Sequence, residues 1–177
     1  NNVPFNMEAD SLNCIVLGQD VNPGQPEWDL FIKEIRKEMT LKAGQRCTGI
    51  RRIFVPENKM EEVWKAIGSS LAQTVIGNPL NEKVRMGSLA GETQRQEVRE
   101  QVQKLLASSQ IVYGSLDSVE VVDADARSGA FISPVLLMND QPHTSREPHE
   151  VEAFGPVSTI MPYRNMDDAI ALSKLGK

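Results

Sequence analysis

Apolar positions in this chain come in short blocks whose spacing switches between two periods. Asn13 to Leu17 is a continuous apolar run closed by Gly18, which predicts a strand. Asn22-Pro23-Gly24 predicts a turn, and Pro26 suits the first turn of a helix. Trp28, Phe31, Ile32, Ile35 and Met39 then recur at helical spacing, so one face of that helix is apolar. Asp29 and Lys33 are placed to pair on its outer face, and Gly44 is expected to end it. Ile50 to Val55 predicts a second strand, stopped by Pro56. A second helix is expected from about Glu57 to Val75, with Met60, Val63, Trp64, Ile67 and Leu71 inward. Gly77-Asn78-Pro79 predicts a loop. Thr93 and Gln96 have the spacing of a capping box for a third helix striped by Val98, Val102, Leu105 and Leu106. Short strands are expected near Gln110–Tyr113, Ser118–Val122, Phe131–Met138 and Val157–Pro162, the last leading into a helix capped by Asn165. Strands alternating with amphipathic helices predict an α/β domain with a mostly parallel sheet and flanking helices.

The length of 177 residues fits one domain with a real core, and 40% hydrophobic with 24% charged residues is ordinary globular usage. A net charge of -5 argues against a nucleic-acid partner, which needs a basic stripe. No run approaches the roughly 18–20 apolar residues of a membrane span. The start, Asn1-Asn2-Val3-Pro4-Phe5, lacks a signal-peptide pattern and reads as cut from something longer. Two cysteines, Cys14 and Cys47, are too few for a disulfide framework and fit a cytoplasmic, reducing compartment.

Cys14 lies inside an apolar run and reads as a buried strand thiol. Cys47 lies in a polar segment, Lys42-Ala43-Gly44-Gln45-Arg46-Cys47-Thr48, with Arg51 and Arg52 close behind. Nearby cations favour a thiolate, so Cys47 reads either as a reactive thiol or as a small residue filling a turn. Glu8 and Glu152, taken singly, read as surface carboxylates. His143 and His149 sit in the polar stretch 141–150 and read as solvated loop, which leaves a Cys-His hydrolase without a partner. A zinc site lacks paired ligand spacing.

Taken in order, the segments carry more. Met7-Glu8-Ala9-Asp10 is followed 39 positions after Glu8 by Cys47 in Gly44-Gln45-Arg46-Cys47, and then by Glu152-Ala153-Phe154-Gly155-Pro156-Val157. Ile76-Gly77-Asn78-Pro79, Met86-Gly87-Ser88-Leu89 and Gly129-Ala130-Phe131-Ile132-Ser133-Pro134 fill the gaps. This ordered set resembles the aldehyde dehydrogenase superfamily over essentially the whole chain. One departure stands out: Ala9-Asp10 replaces the Gly-Gly pair that most of the family carries after the Glu. With Gln45–Arg52, that departure resembles a branch acting on CoA-linked semialdehydes in phenylacetate catabolism. A related branch serves the benzoyl-CoA epoxidation route.

The resemblance implies the catalytic domain of the aldehyde dehydrogenase fold, partial here, with the nucleotide-binding and C-terminal parts absent. It implies Cys47 as the nucleophile and Glu8 as the base that activates water for release of a free acid. It implies that Glu152 holds a ribose hydroxyl of the dinucleotide and that Phe154 packs near the nicotinamide. The cofactor is NADP or NAD, with NADP favoured by resemblance, and no metal is implied. The substrate is a small-molecule aldehyde, and the full-length parent is expected to be a homo-oligomer. A non-catalytic module that kept the fold is the contrasting reading, and the presence of both Cys47 and Glu8 argues against it.

Overall fold

The computed structural model describes residues 11–176. Five strands form one sheet: β1 (Asn13–Val16), β2 (Ile50–Pro56), β3 (Gln110–Tyr113), β4 (Val135–Met138) and β5 (Val157–Tyr163). Their spatial order is β1-β2-β5-β4-β3, and only the β3–β4 pair at one edge is antiparallel. The expected mostly parallel α/β sheet is therefore present.

Helices cover both faces. Pro26 opens α1 (Pro26–Thr40), whose stripe of Trp28, Phe31, Ile32, Ile35 and Met39 is buried as expected. It packs with α2 (Met60–Leu71) over Ile53, Val55, Leu136 and Ile160. Strand alternation sends the intervening Phe54 to the other side, where it joins Met161, Tyr163 and α5 (Met166–Ser173). Next to that cluster, α3 (Glu92–Leu105) lays Val98, Val102 and Leu105 on Val135, Leu137 and Val157. Asn165 caps α5 by accepting from the Asp168 N–H at 3.0 Å, as its sequence position predicts.

Several expectations are corrected. Helix α1 stops at Thr40, and a 3₁₀ turn (Leu41–Gly44) follows in which Lys42, Ala43 and Gly44 all take left-handed φ values of 54°, 52° and 69°. Lys37 pairs with Glu34 on the outer face of α1, at 2.9 Å, where Asp29 and Lys33 were expected to meet. The second helix covers its apolar stripe but is shorter than the expected span from about Glu57 to Val75, because Glu57–Lys59 is a separate 3₁₀ turn and the chain leaves the helix after Leu71. Helix α3 begins at Glu92, so Thr93 and Gln96 fall inside it and the capping box does not form. Instead Arg95 pairs with Glu92 across one turn. The Ser118–Val122 segment is not a strand of the sheet; Val122 makes one isolated bridge to Gly77, and Val119 and Val121 pack on the core beneath α3. The Phe131 block contributes only Val135–Met138 to the sheet, since Pro134 interrupts the ladder.

The largest correction concerns the histidines. His143 is exposed, as a loop residue should be, but it reaches Asp168 at 2.7 Å. Hydrogen bonds from Arg164 hold the Asp168 carboxyl down to about 2. His149 lies in a short helix, α4 (Glu147–Glu150), and is only 3% exposed. Its ring stacks on Phe54, and its two nitrogens meet Arg52 at 3.2 Å and the Pro142 carbonyl at 2.8 Å. A guanidinium can only donate, so Nδ1 accepts from Arg52 and Nε2 carries the proton. Arg52 itself is buried, has no carboxylate partner among the described residues, and donates to the Leu12, Leu172 and Ser173 carbonyls. Two of these lie at the end of α5, where a cation is favoured.

Burial lowers the His149 pKa below the ordinary value of 6.5, with the hydrogen bond to the Pro142 carbonyl and the charge of Glu150 opposing and Arg52 and His143 adding to the fall. The folded state therefore prefers neutral imidazole. Its contribution to stability is full above about pH 6.5 and is lost as pH falls through the lower folded value. Urea unfolding followed from pH 7 to pH 5 should show a falling midpoint. His149→Phe, which keeps the stack on Phe54, should be less stable at pH 7 and should flatten that slope. An equal slope in both proteins would remove His149 as its source.

Candidate active site

Strands β1, β2 and β5 are neighbours and parallel, so the segments leading into them reach the same edge of the sheet. Those segments are Ser11-Leu12, Gly44–Gly49 and Glu152–Pro156. The topology thus brings together two motifs about a hundred residues apart in sequence, together with the stretch just after Glu8. Glu8 itself lies outside the described residues.

Cys47 is exposed, whereas Cys14 is half-buried in β1. The backbone around Cys47 is tied from several sides. Its carbonyl accepts from Ser11 Oγ at 2.5 Å and from Asn13 Nδ2 at 2.6 Å. Arg46 reaches back to Glu38 on α1 at 2.7 Å. Gln45 Oε1 accepts from the Ala90 N–H at 2.8 Å, which pins the loop ahead of α3. Among the described residues the Cys47 N–H donates to no carbonyl or side chain, so a donor stands free beside the thiol.

Arg51 organises the rest. Its side chain is only 4% exposed and that of Glu152 only 6%, and the two form an ion pair at 3.1 Å. The remaining donors of Arg51 reach the carbonyls of Gly155 at 2.8 Å, Gly44 at 2.8 Å and Arg46 at 3.3 Å. Burial lowers the Arg51 pKa and the charge of Glu152 opposes that shift. The second oxygen of Glu152 accepts from the Ser11 N–H at 3.1 Å. Gly44 meets Gly155 so closely that a Cβ would stand 2.2 Å from the Gly155 carbonyl, and its φ of +69° also favours glycine.

Glu152 is therefore no solvated carboxylate, and it sits on the same brace as the Cys47 loop. Among the described residues each of its oxygens takes one donor, which leaves acceptor capacity for a hydroxyl. Phe154 is 37% exposed, with the Arg51 guanidinium 5.5 Å from its ring centroid, and its carbonyl accepts from Gln94 at 2.8 Å. The arginines near Cys47 in sequence are all committed elsewhere: Arg46 to Glu38, Arg51 to Glu152 and three carbonyls, Arg52 to the end of α5 and His149.

Sequence reasoning gave Ser11 and Asn13 no role and read Arg51 only as a cation near the thiol, whereas it is committed to Glu152 and three carbonyls. The signal for Arg51 was present: two arginines inside an otherwise apolar strand must find buried partners. Ser11 and Asn13 carry no such mark, because small polar residues before a strand are common.

The sequence profile of the aldehyde dehydrogenase family matches residues 4–174. The chain belongs to the aldehyde dehydrogenase family. It is 44% identical over 174 residues to a 3,4-dehydroadipyl-CoA semialdehyde dehydrogenase of Aromatoleum evansii, covering 98% of this chain and 34% of that relative. It is 41% identical over 93 residues to Protein MaoC of Klebsiella aerogenes, covering 51% of this chain and 26% of that protein. Among solved structures, the betaine aldehyde dehydrogenase of Staphylococcus aureus in complex with NAD+ superposes with a TM-score of 0.82 at 20% identity, over 96% of this chain and 32% of that one. That likeness is one of fold. The chain spans about a third or less of the length of these relatives. Among the described residues no helix is long and apolar enough to cross a membrane, and no group of three or more His, Cys, Asp or Glu could hold a metal ion.

The two thiols should differ in accessibility. Brief alkylation of the folded chain, mapped by mass spectrometry, should label Cys47 first and Cys14 only slowly. Equal or reversed labelling would contradict the exposed position of Cys47.

Proposed function

We propose that this chain is part of an aldehyde dehydrogenase that oxidises a CoA-linked semialdehyde to the acid, with Cys47 as its nucleophile. The observation that carries the reading is the exposed Cys47, whose N–H meets no acceptor among the described residues, on a loop held to Glu152. The Cys47 sulfur adds to the aldehyde carbon, a C–S bond forms, and the carbonyl oxygen becomes an oxyanion that the Cys47 N–H can stabilise. A nicotinamide dinucleotide, held at Glu152 and Phe154, would supply the hydride acceptor at this point, and Cys47 would then carry the acyl group as a thioester. Glu8 then removes a proton from water, whose oxygen attacks the thioester carbon and releases the acid and the thiol.

For the cofactor, the donor set at Glu152 fits one end only. The carboxylate has lone pairs left for a ribose hydroxyl, and the exposed Phe154 face can cover an aromatic ring. No Gly-rich strand-to-helix fingerprint for the phosphates occurs in the sequence, so we assign that part of the site to chain outside these residues. NADP or NAD fits equally well at Glu152 and Phe154.

The substrate class rests on the match to a relative named a CoA semialdehyde dehydrogenase, which spans nearly the whole chain. The Ala9-Asp10 departure supports a place in phenylacetate catabolism. The benzoyl-CoA epoxidation route is the second reading, and it shares the CoA-linked semialdehyde as substrate class. A cytoplasmic homo-oligomer is the assembly we assign to the full-length protein.

Full-length protein should oxidise CoA-linked semialdehydes with higher kcat/KM than the free semialdehydes. Glu8→Gln should retain a burst of reduced dinucleotide and then turn over slowly, by about 10²–10⁴-fold. Cys47→Ala should abolish the burst. Unchanged steady-state turnover in Glu8→Gln would assign the water-activating role to another group, with Asp10 the nearest carboxylate in sequence.

A further inference from the structure

Arg51 stands at the centre of a closed circuit of hydrogen bonds. It donates to Glu152, and Glu152 accepts from the Ser11 N–H. Ser11 Oγ donates to the Cys47 carbonyl. Asn13 donates to the carbonyls of Cys47 and Gly49. The circuit closes through the Gly44 and Arg46 carbonyls, which return to Arg51. Three segments that lead into three strands are thus tied to one guanidinium.

The chemistry of the partners explains why arginine stands there. Gly44, Arg46 and Gly155 present carbonyl oxygens to a nearly dry space, beside a carboxylate that also needs donors. One planar group with five N–H bonds in a fixed fork can serve all four acceptors and neutralise the one negative charge. A lysine could keep the charge but offers a single point with three donors. The fork also sits over the exposed ring of Phe154. Strain in the preceding turn, where Lys42 and Ala43 hold left-handed φ, means that the loop needs such an anchor to keep its path.

From this geometry we infer that Arg51 is a positioning residue: it locks the Cys47 loop and the Glu152–Gly155 loop into one unit, so that the nucleophile and the cofactor-side carboxylate keep a fixed relation. The inference rests on the assignment of Cys47 and Glu152 made above. Arg51 touches no reacting atom in this role. It acts through the two loops it joins.

The test has two parts. In the 177-residue chain, hydrogen exchange by mass spectrometry should show peptides covering 42–49 and 152–157 exchanging together in Arg51→Met, faster than wild type, while peptides from α1 and α2 stay unchanged. If only one loop loosens, or neither does, Arg51 does not couple them. Should Arg51→Met fail to fold, Glu152→Gln keeps the three carbonyl bonds and removes only the charge partner. It should then loosen 152–157 more than 42–49, and no change in either would overturn the inference. In full-length protein, Arg51→Met should slow the burst by on the order of 10-fold or more, within the ~10²-fold that a 1 Å misplacement can cost, while the aldehyde KM changes little. Arg51→Lys should restore only part of that loss. Wild-type rates in a folded Arg51→Met would defeat the positioning role. A wild-type enzyme with no burst dependent on Cys47 would instead defeat the assignment on which the role rests, and the exchange experiment would still decide whether Arg51 joins the loops.

Discussion

The ion pair between Arg51 and Glu152 is buried on both sides, and the backbone of the site is arranged around it. Removing one member of such a pair leaves a charge in a poorly solvated space, at a cost of about 3–5 kcal/mol. The pair alone is weak evidence of net stability, since burying two ions is itself expensive. What favours it here is the number of acceptors it serves. Three loop carbonyls, each already accepting from one backbone N–H, gain a second donor from the same guanidinium. Gly44 then follows as a requirement, because any side chain there would push the two loops apart, while a Cβ at Gly155 would meet Val98 of α3.

The position of the site on the sheet follows from connectivity. In open α/β sheets ligands commonly bind beyond the carboxyl ends of the strands. Here the candidate residues lie before the amino ends of β1, β2 and β5. The parallel order of these three strands, and not closeness in sequence, makes Ser11, Cys47 and Glu152 neighbours. The loops at this edge are therefore held by side chains: Asn13, Ser11 and Gln45 each pin one backbone group around Cys47.

Much of the fold was legible because burial and period agree. The stripe of α1, the strand β3 and the Asn165 cap of α5 were each marked by local pattern, and each forms. Expectations failed where a local signal competed with tertiary contacts. Thr93 and Gln96 have capping-box spacing, but the helix starts earlier, where Glu92 can pair with Arg95. His149 looked like loop because its neighbours are polar, yet its ring is held by Phe54, Arg52 and Pro142, all distant or invisible in the local pattern. At the site, the motif residues were legible through their order along the chain. Their physical support was not, since Arg51 reaches partners about a hundred residues away and Ser11 is an ordinary small polar residue.

The central claim is that Cys47 carries the acyl group during turnover. Acid-quenching the full-length enzyme during steady-state oxidation of a CoA-linked semialdehyde, then digesting and mapping it by mass spectrometry, tests this directly. The account predicts an acyl mass addition, labile to hydroxylamine, on the peptide containing Cys47 and absent from that containing Cys14. Active turnover with no adduct on Cys47 when Glu8→Gln is quenched in the same way, or an adduct on another residue, would contradict it.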